Sequence, residues 1–185
     1  MIDAQPAHPE PNQVLAFWRQ AGPAKWFKKD PAFDAEFRER FINGHEAAAR
    51  GDLDGWAGRA DGALALLILL DQFPRNAFRG TERMFASDAR ALRIARQAIA
   101  AGQDQQVEAD LRNFFYLPLM HSEALEDQQQ SVLLTEPLGA DPHRYALMHR
   151  DIVERFGRFP HRNAILGRST TPAEQAFLDQ GGFAG

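Results

Sequence analysis

The sequence predicts an all-α fold, and three observations carry that prediction. Thirty Ala and 18 Leu stand against 15 Val, Ile and Thr together in 185 residues, a ratio that favours helix over sheet by intrinsic propensity. Asp30-Pro31, Asp141-Pro142 and Thr171-Pro172 each place a capping side chain before a proline, as at a helix N-terminus with proline in its first position. No stretch of strict apolar alternation occurs. The expectation is an antiparallel pile of about seven or eight helices. Residues 1–11, with three prolines, read as a flexible N-terminal tail, and 12–185 as a single helical domain.

From Asp30, Phe33, Phe37 and Phe41 recur every four residues with Ala48 further on, so an aromatic core stripe runs along a helix ending near Gly51. Asp61 to Phe73 is apolar nearly all round, which marks a helix buried on most sides and expected to stop at Pro74. Ser87 is placed as the cap of a helix ending at Gly102, and Val107 to Leu119 as an aromatic-rich helix broken or bent at Pro118. Ser122 is expected to cap a helix reaching about Leu134, and Pro142 to Phe156 forms another before Gly157. At the last start, Glu174 completes a capping box with Thr171.

Composition excludes several function classes. With no cysteine, disulfides, thiolate nucleophiles, cysteine-type zinc sites and iron–sulfur clusters are absent. The eight-residue apolar run Ala63 to Leu70 is far short of the roughly 20 needed to span a bilayer, and the first residues lack the basic and apolar parts of a signal peptide. A soluble, cytoplasmic protein without a membrane partner is expected. The net charge of −4 argues against nucleic acid as a partner. Phe17-Trp18 and Lys25-Trp26-Phe27-Lys28 therefore read as core packing with solvated lysine heads rather than a stacking platform.

Nucleotide-binding glycine loops, a nucleophile elbow and His-Glu-x-x-His are all missing, as is Glu three residues before any histidine. No metal site and no cofactor are expected. What remains are polar residues in places where polarity needs a reason. Asp71 and Gln72 end the most apolar helix, and Arg75, Arg158 or Arg162 could neutralise Asp71. That arrangement reads either as a structural ion-pair network or as a set of ligand clamps. The echo of Phe73-Pro74-Arg75-Asn76 in Phe159-Pro160-His161-Arg162-Asn163 is either two helix ends built alike or two corners of one pocket. His121-Ser122-Glu123 contains an acid/base candidate, His121, with Glu123 to orient it if the pair straddles the helix cap.

Taken together, Phe17-Trp18, Lys25-Trp26-Phe27, Leu70 to Asn76, Tyr116-Leu117-Pro118, His121-Ser122-Glu123 and Phe156 to Asn163 resemble the uncharacterised domain-of-unknown-function family nine-two-four, from about Val14 to Phe177. The resemblance implies a tetratricopeptide-like α–α superhelix and carries no activity and no catalytic residues. The leading expectation is that Arg75, Arg158 and Arg162, with His161, Asn76 and Asn163, line a polar pocket for a small anionic or carboxylate-bearing ligand, Asp71 and Gln72 holding the arginines. The alternatives are a peptide-interaction module and a metal-independent acid/base enzyme using His121 and Glu123. Enzyme status, ligand identity and oligomeric state are left open by the sequence.

Overall fold

The computed structural model describes residues 8–183. Ten α-helical segments occur among them, with no strand among the described residues. They are α1 (Pro11–Ala21), α2 (Pro23–Trp26), α3 (Pro31–Arg50), α4 (Ala60–Leu67), α5 (Phe73–Ala77), α6 (Asp88–Ala100), α7 (Asn113–Met120), α8 (Leu125–Thr135), α9 (Ala140–Phe156) and α10 (Pro172–Asp179). Most of the expected tail, residues 1–7, lies outside the described residues; α1 already begins at Pro11, capped by a box between Glu10 and Gln13. None of the helices is long and apolar enough to cross a membrane among the described residues.

The aromatic stripe of α3 forms as its period demands. Asp30 accepts from the Ala32 and Phe33 N–H groups at the start, Phe33, Phe37, Phe41 and Ala48 are buried, and Gly51 ends the helix at φ 94°. Only glycine adopts that left-handed conformation without strain. Phe17 stacks on Phe33 and Phe37, with ring centroids 5.3 and 5.2 Å apart, and Trp26 Nε1 donates to Trp18 O at 2.7 Å. Phe17, Trp18 and Trp26 are buried, whereas Phe27 is 65% exposed and lies on the surface over Phe114.

The central helix differs from expectation at Pro74. Instead of stopping, the chain runs on from α4 through a π-helical turn, Ile68–Gln72, into α5. Phe73 N–H reaches back five residues to Ile68 O, and this wider turn takes up the clash that proline makes with the carbonyl four residues before it. The carbonyls thereby released are filled from neighbouring helices. His45 of α3 donates through Nδ1–H to Leu69 O at 2.9 Å, and Ser87 Oγ donates to Leu70 O at 2.6 Å. Every residue from Gly62 to Pro74 is buried, with α1, α3, α6 and α7 packed around this axis.

From α6 onward the helices pack in chain order, α6 on α7, α7 on α8 and α8 on α9. Two expected caps are differently used. Ser122 lies ahead of α8, whose N-cap is Ala124; its hydroxyl donates to Asp127 at 2.6 Å. Asp141 falls inside the first turn of α9, because Gly139 takes the cap position. Thr171 and Glu174 form the expected box. A small second core of Ile152, Val153 and Phe159, with Phe156, Phe177 and Phe183 against it, fastens α10 to α9.

Candidate functional site

The π turn aims Asp71 sideways at the end of α7. Its Oδ1 accepts from His121 Nδ1–H at 2.7 Å and lies 3.2 Å from Arg75 NH1, while Oδ2 accepts from Gln72 Nε2 at 2.7 Å. Asp71 is 1% exposed. Burial alone would push its carboxyl up, but Arg75 and His121 outweigh burial and hold it below the usual carboxylate range. Pairing with an ionised carboxylate fixes the hydrogen of His121 on Nδ1, leaving Nε2 as a lone-pair acceptor. Nε2 makes no hydrogen bond among the described residues, and the side chain is 15% exposed. Burial, followed by the nearby Arg75 charge, lowers the His121 pKa, so the ring is neutral near pH 7.

Arg75 is held by two carboxylates and a carbonyl. Its two terminal nitrogens donate to Asp88 Oδ1 and Oδ2 at 2.8 and 3.0 Å, and NH1 also donates to Asp71 O at 2.9 Å. Arg162 approaches the same Asp88 from the far turn, Phe159 to Asn163, but only to 3.7 Å. Its NH2 donates to His121 O at 2.9 Å, its Nε is solvent-excluded with no partner, and its guanidinium lies 4.7 and 4.6 Å from the Phe85 and Phe159 rings. Burial and Arg75 bring its pKa down to about 10. Arg162 is thus the under-neutralised cation of the cluster.

The two arginines of the repeated motif therefore converge, and the two asparagines do not. Asn76 donates to Asp34 at 2.6 Å, beside Arg79. Asn163 sits within 3.3 Å of Glu174. Arg158 makes a two-pronged pair with Glu174, at 2.6 and 2.9 Å, which with the backbone holds that carboxyl down to about 2. Glu123 does not orient His121. It accepts from both Arg168 terminal nitrogens and from Phe159 N–H at 2.8 Å, so the partner expected of His121 is replaced by Asp71, fifty residues away. Gln72 supports Asp71 directly. His161 lies against Phe159 and Phe183 with its Nδ1 buried and unpartnered.

Two members were missed in the sequence. Asp88 bridges the two arginines. His149 of α9 donates to Tyr145 O at 2.8 Å, and its ring centroid is 6.3 Å from that of His121. Burial, with His121 adding to it, pushes His149 down to about 3. Among the described residues, no group of three His, Asp or Glu side chains is placed to hold a metal ion.

A family model described as "Bacterial protein of unknown function (DUF924)" matches residues 14–182. Among solved structures, a protein of unknown function from Agrobacterium tumefaciens is similar, with 54% sequence identity and a TM-score of 0.90, covering 92% of this chain and 97% of that one. The comparison with curated proteins finds no match.

Proposed function

The chain belongs to this family of bacterial proteins of unknown function, and from that premise we propose that Asp71 and His121 form a proton-transfer dyad acting on a small anionic ligand. The observation that carries the reading is the 2.7 Å bond from His121 Nδ1–H to a nearly inaccessible carboxylate, with the opposite ring nitrogen unpartnered. A carboxylate behind an imidazole fixes its tautomer and stabilises the imidazolium formed when Nε2 takes a proton. His121 is the base. Asp71 holds it, and Gln72 and Arg75 hold Asp71.

Arg162 supports an anionic ligand, a carboxylate or phosphate, because its charge is only partly met by Asp88 and it adjoins His121. Arg75 and Arg158 each make a two-pronged pair with one of the protein's own carboxylates, Asp88 and Glu174, and are better read as framework. Of the expected ligand set, this reading keeps Arg162, beside the acid/base candidate His121, with Asn76, Asn163 and Arg158 bracing the surrounding turns.

The test is a thermal-shift panel of small carboxylates and phosphates, followed by proton NMR of each hit in deuterium oxide. A ligand at 100-fold over its Kd adds about 2.7 kcal/mol. Binding is expected to be lost in Arg162→Ala and kept in His121→Asn, with deuterium entering the ligand only when His121 and Asp71 are both present. Hits that Arg162→Ala and His121→Asn leave unchanged in both binding and exchange would sink the reading.

A further inference from the structure

The two side chains that fill the released carbonyls of the π turn share a second feature. His45 and Ser87 form the base of a cavity of about 420 Å³ between α3 and the start of α6, with Arg83, Arg90, Arg93 and Ala89 around it. That volume lies within the range of small-molecule sites. From these observations we propose that this cavity binds the phosphoryl group of a small molecule, independently of the Asp71–His121 site.

Several features point to such a ligand rather than to a solvated groove. His45 is 5% exposed, and its Nδ1–H is committed to Leu69 O. Its Nε2 has no partner among the described residues, so a 95% buried ring offers the cavity an acceptor. Burial lowers its pKa, which keeps that nitrogen able to accept. A phosphate monoester or inorganic phosphate in its singly charged form carries the hydroxyl this acceptor lacks, and a carboxylate does not.

The walls supply donors. Arg83 pairs with Glu46 and Arg90 with Asp54, while Arg93 has no ion-pair partner among the described residues and leaves the wall with one excess positive charge. The start of α6 adds to it. Ser87 directs its hydroxyl away to Leu70 O and gives no side-chain cap, and the Ala89 N–H at the cavity wall has no backbone partner among the described residues. A 13-residue helix thus presents an unfilled N–H and the positive end of its dipole beside a buried acceptor and a free guanidinium.

The experiment is a titration of the full chain with inorganic phosphate, read by amide nitrogen–proton NMR, with acetate at matched ionic strength as the second arm. Phosphate is expected to move the Ala89 and Arg90 amides saturably, and acetate at least tenfold more weakly. Arg93→Glu, on an exposed side chain, should weaken phosphate at least tenfold, with Arg83→Gln as a second variant expected to act in the same direction. The same shifts should persist in Arg162→Ala, which separates this cavity from the proton-transfer site. Absent shifts with phosphate, equal affinity for acetate, or an unchanged titration in both cavity variants would each overturn the proposal.

Discussion

Ser87 Oγ donates at 2.6 Å to Leu70 O, the carbonyl that Pro74, four residues on, has no N–H to reach. A serine whose position promised a helix cap instead repairs the π turn. The consequence is measurable by urea denaturation. Ser87→Ala should cost about 1–3 kcal/mol, the penalty for leaving a buried carbonyl unpaired. Pro74→Ala in the same background should recover part of it, since alanine restores an N–H at the right spacing. Additive losses in the double variant would show that the hydroxyl and the proline are not linked through Leu70.

A different steric relation governs Gly62. A methyl group there would come far inside the van der Waals contact distance of the Trp56 carbonyl oxygen, and backbone cannot swing aside as a side-chain tip can. Gly62→Ala should therefore destabilise the protein by about 1–3 kcal/mol, although alanine is the better helix former. A rise in melting temperature would mean the 54–58 turn has freedom to move.

Much of the fold was legible because its signals are local. The four-residue spacing of Phe33, Phe37 and Phe41 and the Thr171 to Glu174 box act within one helix turn, and both stand as read. The π turn was not legible, because Pro74 reads as a stop unless another chain segment can serve the carbonyls it strands. His45 and Ser87 do so from 24 and 17 residues away in sequence. The candidate site divides in the same way. Asp71 was marked by its burial and His121 by lacking a structural reason, but Glu123 was paired with His121 by proximity in sequence. Asp88 and His149 carried no signal beyond that of ordinary helical residues, because their roles arise only when α5, α6, α9 and the turn before α10 meet.

Asp71→Asn tests the dyad apart from any ligand. The amide removes the charge that Arg75 and His121 share, and a cost of about 3 kcal/mol is expected from breaking a buried pair. Arg75 retains Asp88, which favours survival of the fold. In nitrogen-15 spectra at pH 7.5, wild-type His121 should show its hydrogen on Nδ1, and the variant a mixture of tautomers. An unaltered tautomer would remove Asp71 as the orienting group.

The arginine–glutamate pair of the C-terminal turn makes the opposite prediction for function. Glu174→Gln loses the two-pronged contact with Arg158 and weakens the support of Asn163, but touches neither Asp71 nor His121. It should loosen α10, seen as faster amide exchange there, and leave the His121 tautomer and ligand binding at Arg162 unchanged. Loss of binding in a folded Glu174→Gln variant would instead place the C-terminal turn within the ligand site.

Acid should destabilise this protein well above the range where carboxylates titrate. Burial, with His121 adding to it, holds His149 near 3, and burial with Arg162 holds His161 near 4, each below the ordinary histidine value of 6.5. In the unfolded chain both rings therefore take up protons first as pH falls, so the stability they confer is complete above about 6.5 and is lost towards 4 and 3. The slope is about 1.4 kcal/mol per pH unit for each ring that stays neutral in the fold. Glu174, held near 2 from an ordinary 4.5, contributes to the pH dependence only below the latter value. The window from pH 6.5 to 4.5 thus isolates the histidines. Urea denaturation at pH 7.0, 6.0 and 5.0 should show stability falling through that window, and His149→Phe, which keeps a ring against Phe159 and Phe183, should flatten the slope by about the share of one proton. An equal slope in wild type and His149→Phe would mean that His149 accepts its proton without opening the fold.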